Sequence, residues 1–172
     1  MPMFNAEPAR SQRRGAVLAM ALLSLAVSAI MVAPSASAYE ITSTVRSWAT
    51  GRCLTLSNHG TIEATPACDR KFTLYGPVAS SDGHHVMMIR MSGGGCITRG
   101  WPGQPLGVQS CGGGDAIAQQ WEVIGEPTNV VQLKPPFTST SDHNQCLDSN
   151  RAGEVYLLGC NGGGFQDWKF GY

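Results

Sequence analysis

The sequence lacks the patterns on which several classes of protein depend. It contains no Cys-x-x-Cys pair, which removes the usual spacings of zinc and thioredoxin-like sites. It has no Gly-x-Ser-x-Gly or His-Glu-x-x-His motif, and none of its Gly-Gly-Gly tracts continues into the Lys-Ser/Thr of a phosphate loop. After residue 38, no stretch keeps helical periodicity over a useful length. We therefore expect a protein that is not an enzyme and that uses no metal or cofactor.

An excess of positive charge is also missing. The chain has 12 lysines and arginines against 12 acids. Residues 1–38 contain three of the arginines and one of the glutamates, so the remainder has a net charge of −2. A protein that neutralises phosphates needs a basic face. We therefore expect no nucleic-acid partner.

Residues 1–38 have the features of a secretory signal peptide. Three arginines precede an apolar run from Gly15 to Val32, and Ala-Ser-Ala follows at 36–38. A membrane anchor is the alternative, because 18 apolar residues approach a bilayer span. Pro34 and the small residues after it favour cleavage after Ala38. We expect a secreted, extracellular protein of residues 39–172 with no membrane span after cleavage.

All six cysteines lie after residue 38, and an even count in an exported chain indicates disulfides. They recur in a long-range rhythm, with gaps of 15, 15 and 14 residues inside three successive pairs. Because the repeat makes each unit close on itself, it predicts the pairs Cys53–Cys68, Cys96–Cys111 and Cys146–Cys160.

The surroundings of the cysteines repeat in the same register. Glycine-rich turns and then Gln119-x-Trp121 and Gln166-x-Trp168 follow the second and third pairs, and Phe72 stands where the first unit would have its tryptophan. This register divides the chain after residue 38 into three repeats, at about 39–80, 81–127 and 128–172. Many short strand-like segments punctuated by Gly and Pro predict an all-β barrel or sandwich. Three similar units should close with pseudo-threefold symmetry, and each should supply one ring to a shared core.

Four features together resemble the ricin-type lectin family, whose members are β-trefoil carbohydrate-binding domains. They are the two Gln-x-Trp motifs, the Cys-Leu-Asp sequence at 146–148 and the Cys-Asn-Gly-Gly sequence at 160–163. The resemblance covers essentially all of residues 39–172. It implies a β-trefoil with up to one shallow sugar pocket per repeat.

The family's sugar-binding acid lies two residues after the first cysteine of a unit. Only the third unit has it, at Asp148, whereas the first two have Thr55 and Thr98. A neutral hydroxyl loses the charge-assisted hydrogen bonds, which are about twice as strong as neutral ones. The resemblance therefore implies at most one sugar site of the family type, in the third unit, with Gln166 supporting Asp148. The alternative is that Asp148 is an ordinary turn acid and that sugar binding has been lost.

The rest of that site departs from the family pattern. Leu158 stands at the usual aromatic position, and Phe165 stands where an asparagine often contacts the sugar. Tyr156, on the same face of an alternating strand as Leu158, can supply the missing ring. With Asn161 of the cysteine turn, the predicted carbohydrate-binding residues are Asp148, Tyr156, Gln166 and Asn161.

Two further sequences invite other interpretations. Trp101 is flanked by turn residues, so we expect it to be exposed and to act in recognition. The adjacent His84 and His85 are expected beside a hairpin tip rather than in a metal site, because neighbouring residues of a strand face opposite ways.

The sequence thus predicts a secreted, non-catalytic carbohydrate-binding protein that engages glycans mainly through its third repeat. The alternative is a degenerate lectin-fold protein that serves as the cell-binding or adaptor subunit of a multi-component secreted toxin. Such a subunit would have a secreted protein partner. That hypothesis rests on similarity to the accessory subunits of cytolethal distending toxins. A trefoil protease inhibitor ranks last, since no rigid inhibitory loop stands out.

Overall fold

The computed structural model describes residues 39–81, 83–113, 116–136 and 144–171. The predicted signal peptide lies outside these residues. Within them, strands account for most of the ordered backbone, and the helical segments are two short 3-10 helices, Ala116–Gln119 and Gly164–Gln166. The strands are β1 Tyr39–Ser43, β2 Val45–Ser47, β3 Cys53–Leu56, β4 Ile62–Thr65, β5 Phe72–Ser81, β6 His84–Met91, β7 Cys96–Thr98, β8 Gly107–Gln109, β9 Gln120–Ile124, β10 Val130–Lys134, β11 Gln145–Ser149, β12 Val155–Gly159 and β13 Asp167–Phe170.

A six-stranded barrel forms the body of the protein. Its strands follow the order β5-β6-β9-β10-β13-β2, and every neighbouring pair is antiparallel. Only Thr44 separates β1 from β2, and β1 pairs with β5 while β2 pairs with β13. This one segment therefore closes the barrel. Among the described residues, closure leaves the barrel itself without an unpaired edge strand.

Three hairpins cap one end of the barrel. They are β3–β4, β7–β8 and β11–β12, the middle strands of the three units. Isolated bridges join their second strands pairwise, at Thr61 with Gly107, Glu63 with Glu154, and Pro105 with Tyr156. Four strands per unit arranged three times around an axis make a β-trefoil. The predicted fold class and its pseudo-threefold symmetry are confirmed.

Each unit closes on its own disulfide, as the repeat predicted. The bridges are Cys53–Cys68, Cys96–Cys111 and Cys146–Cys160, with Cα–Cα distances of 5.1, 5.0 and 5.0 Å. These distances are ordinary for disulfides. Each bridge ties the start of a cap hairpin to the segment that leads back into the barrel.

One aromatic ring per unit fills the barrel. Phe72, Trp121 and Trp168 are all fully buried, on β5, β9 and β13. The indole N–H of Trp168 donates to the Leu147 carbonyl at 2.9 Å, and that of Trp121 donates to the Ile97 carbonyl at 3.4 Å. The two tryptophans therefore hold their cap hairpins through a hydrogen bond as well as by packing. The ring of Phe72 carries no N–H, so its side chain contributes packing alone.

The segment of β1 and β2 was not among the strands expected from sequence. Its few apolar residues alternate with polar ones. In the folded protein Val45 and Ser47 of β2 are both buried, so one of the two inward-facing side chains is polar.

Within the described ranges, no helix is both long and apolar enough to cross a bilayer.

Removing any one disulfide should cost a similar amount of stability. The bridged cysteines are 15, 15 and 14 positions apart in sequence, and the chain-entropy model assigns about 3 kcal/mol to a loop of that size. We expect each Cys-to-Ala pair to lower the free energy of unfolding by about 3 kcal/mol in urea titrations. A pair whose removal costs nothing would contradict the view that all three hairpins are held in the same way.

Candidate functional site

Two of the predicted sugar-binding residues, Asp148 and Tyr156, lie on the third cap hairpin, and Asn161 and Gln166 follow it in the chain. Asp148 on β11 is directly opposite Tyr156 on β12, while the next pair, Leu147 and Leu157, is buried in the core. Residues paired across antiparallel strands share a face, and neighbouring residues alternate between faces. Asp148 and Tyr156 therefore point together away from the barrel interior.

Gln166 holds the carboxylate of Asp148 in place. Its Nε2 donates to Asp148 Oδ2 at 2.8 Å and to the Gly159 carbonyl at 3.0 Å. Its Oε1 accepts a hydrogen bond from the Asn161 main-chain N–H at 2.8 Å. Gln166 is fully buried, so it positions the acid and cannot itself contact a ligand.

Asn161 shapes the turn after Cys160. Its side-chain Oδ1 accepts a hydrogen bond from the Gly163 N–H at 2.7 Å, and its main-chain N–H donates to Gln166 Oε1. The residue is exposed. Its amide Nδ2 has no hydrogen-bond partner among the described residues and can face a ligand beside the turn.

The second unit repeats this arrangement without the acid. Gln119 Nε2 donates to the Ser110 carbonyl at 2.9 Å, and Gln119 Oε1 accepts from the Gly112 N–H at 2.9 Å. Thr98 corresponds to Asp148 of the third unit, and its hydroxyl donates a hydrogen bond to the Cys96 carbonyl at 3.0 Å. The glutamine of Gln-x-Trp thus closes the disulfide turn in both units. Its contact with a carboxylate belongs to the third unit alone.

Burial dominates the electrostatics of this pair. Asp148 is 3% exposed, and burial raises its pKa above the usual value, although the hydrogen bonds from Gln166 and the Ser149 N–H oppose the shift. The pKa of Tyr156 is raised by burial first and then by the carboxylates of Asp148 and Glu154. The site therefore presents a carboxylate whose ionised form is costly, next to a phenol that keeps its proton.

Two tryptophans and a leucine are exposed near the cap hairpins and their turns. Trp101 is 76% exposed, in the turn between β7 and β8, and Leu158 is 45% exposed on β12. Trp48, which the sequence analysis did not single out, is 57% exposed and lies beside Gly164 of the second 3-10 helix. Like Trp101, it is followed by small turn residues. The rule that a tryptophan next to turn residues is exposed would therefore have identified it from the sequence.

His84 and His85 lie at the start of β6, next to the turn that joins it to β5. In the part of the chain that the structure describes, no three His, Cys, Asp or Glu side chains come close enough together to hold a metal ion.

Replacing Asp148 by asparagine should stabilise the protein at neutral pH. Asparagine keeps an oxygen acceptor for Gln166 and removes the buried charge. Because the pKa of Asp148 is raised in the native state, the stability of its protonated form is present in acid and is lost as the pH rises through that pKa. We expect Asp148→Asn to melt at a higher temperature than the unmodified protein at pH 7, with a difference that shrinks as the pH falls towards 3.8.

The exposed Asp69 supplies the matched control for that measurement. Asp69→Asn removes a surface carboxylate and should leave the melting temperature at pH 7 unchanged. A lower melting temperature for Asp148→Asn than for the unmodified protein at pH 7 would contradict the description of this site.

Comparisons with known proteins support the fold. A designed threefold-symmetric protein, ThreeFoil, is similar with a TM-score of 0.56 and 16% identity, over 74% of this chain and 96% of that one. A mosquitocidal holotoxin is similar with a TM-score of 0.58 and 13% identity, over 77% of this chain, which spans only 16% of the toxin chain. No family model matches the sequence. No curated protein matches it either. At these identities the likeness shows the β-trefoil fold alone.

Proposed function

We propose that this protein is a secreted, non-catalytic carbohydrate-binding protein that engages glycans mainly through its third unit. The observation that carries the proposal is the buried carboxylate of Asp148, held by Gln166 at 2.8 Å and paired across the hairpin with Tyr156. The three disulfides favour an oxidising compartment such as the extracellular space.

The fold does not need an acid at this position. Thr55 and Thr98 take the corresponding places in units with the same hairpin and disulfide. At Asp148 the ionised form is disfavoured by burial, yet the one spare donor of a buried glutamine is directed at it. A group that is costly for the fold and is nevertheless held in a fixed position is a candidate for function.

The chemistry of the pair suits a sugar. An ionised carboxylate accepts hydrogen bonds from two neighbouring hydroxyls, and such charge-assisted bonds are about twice as strong as neutral ones. The half-buried ring of Tyr156 offers an apolar surface for the C–H face of the same sugar. Because Asp148 is only 3% exposed, a ligand must reach it with a narrow edge, which the vicinal hydroxyls of a pyranose provide.

A glycan array with the processed protein and its Asp148→Asn variant tests this proposal. Loss of one charge-assisted hydrogen-bond acceptor is worth about 1.5–3 kcal/mol, so we expect binding to weaken at least about tenfold. Asp69→Asn should bind as the unmodified protein does. Glycan binding that Asp148→Asn leaves unchanged would refute the site, and the absence of any bound glycan would refute the function.

A protein-binding subunit of a secreted assembly is the second candidate, and the exposure of Trp101 favours it. A tryptophan that is 76% exposed on a turn is typical of a recognition surface. If this candidate is correct, the tagged protein should recover a stable, stoichiometric partner from culture fluid. Trp101→Ser should abolish recovery, and Ile117→Ser, which alters a side chain that is 56% exposed on the first 3-10 helix, should not. Equal recovery with both variants would exclude Trp101 from the contact.

A further inference from the structure

A concavity between the cap hairpins borders Tyr156, the residue paired with Asp148. It has a volume of about 510 Å³ and is lined mainly by the first and third units, with Gly103 and Pro105 from the second. The bridges between Glu63 and Glu154 and between Pro105 and Tyr156 hold its walls together. The buried side chains of Ile62 and Val155 close it towards the core.

Polar groups of both signs converge on this concavity. Arg52 and Glu63 line it, and among the described residues neither side chain makes a hydrogen bond or an ion pair. Glu154 also lines it and accepts a hydrogen bond from Asn150 Nδ2 at 2.5 Å. Glu63 and Glu154 are directly opposite each other, an arrangement of like charges that destabilises a pair of strands. Groups placed in this way are available to an incoming ligand.

Tyr156 connects the concavity with the site of the third unit. It is paired with Asp148 across the hairpin, and the Asp148 carboxylate acts on its pKa. It also lines the concavity, together with Leu158, the next residue on the same face of β12. A ligand that packs on the ring of Tyr156 at Asp148 can therefore continue into the concavity that Arg52 and Glu63 also line.

We infer that the concavity is an extension of the sugar site and that the ligand is an oligosaccharide rather than a single sugar. The inference rests on the proposed function. Hydroxyls of a second sugar unit can donate to the carboxylates of Glu63 and Glu154 and accept from the Arg52 guanidinium, while its apolar face packs on Leu158. Two carboxylates against one guanidinium give a net negative charge. The concavity therefore takes neutral or amine-bearing sugars and disfavours uronic acids and sulfated sugars.

Calorimetric titration with chito-oligosaccharides and galacto-oligosaccharides, from monomer to tetramer, tests this inference. The unmodified protein should bind the tetramer of the preferred series at least about tenfold more tightly than the monomer. Ala152→Trp fills the concavity from an exposed turn, and Glu63→Gln removes one acceptor charge. Both variants should reduce the tetramer-to-monomer ratio to about one and leave monomer binding unchanged. Glu126→Gln removes an exposed glutamate elsewhere and should keep the full ratio.

The outcomes separate this inference from the proposed function. Equal affinity for monomer and tetramer in the unmodified protein overturns the oligosaccharide site and leaves the Asp148 site standing. A Glu63→Gln variant that folds, as judged by its melting temperature, but loses monomer and tetramer binding alike also overturns it. Absence of binding to any sugar, monomers included, removes the proposed function and the inference with it. Tighter binding of an oligogalacturonate than of a neutral tetramer would contradict the assigned ligand chemistry.

Discussion

In the second and third units, one buried carboxamide fixes the disulfide turn to the barrel. Gln119 and Gln166 each accept a hydrogen bond from the N–H after the second cysteine and donate to the carbonyl before it. Two residues later, a tryptophan places its ring in the core and donates its N–H to the cap hairpin. Disulfide, carboxamide and indole together hold a hairpin rigidly on the end of the barrel. The same turn contacts form whether the residue two after the first cysteine is Thr98 or Asp148, so this position can differ between units.

This division explains why a Gln-x-Trp motif does not by itself identify a sugar site. Gln119 makes the same turn contacts as Gln166, although the residue that it would support is Thr98. The motif is thus a structural element of the fold, and the acid two residues after the first cysteine is what changes the chemistry. In the third unit the spare hydrogen of Gln166 goes to Asp148, so one side chain serves both the turn and the candidate site. Positioning by a buried, fully bonded group is what a binding constellation needs to keep its geometry.

The three units are alike in backbone and unlike on their exposed face. Glu63, Gly107 and Tyr156 occupy corresponding positions, opposite Thr55, Thr98 and Asp148. Core positions are constrained by packing at close to crystal density, so Phe72, Trp121 and Trp168 vary little in size and place. The outer positions carry no such constraint, and their differences leave a concavity between the first and third units. Pseudo-symmetry of the fold therefore coexists with a cap surface that differs from unit to unit.

The spacing of the cysteines and of the bulky rings was sufficient to predict an all-β fold with pseudo-threefold symmetry and its disulfide pairs, and the resemblance to the ricin-type family implied the trefoil. These features are local and repeat three times, so each copy supports the interpretation of the others. The strands β1 and β2 were not predicted, because their pairing with β5 and β13 depends on chain ends that meet only in the closed barrel. The concavity beside Tyr156 was decided by the tertiary structure, since it arises where hairpins about 90 residues apart in sequence come into contact. Sequence alone determined which residue types each unit contributes, and only the packing of the three units around one axis determined which of them face the same ligand.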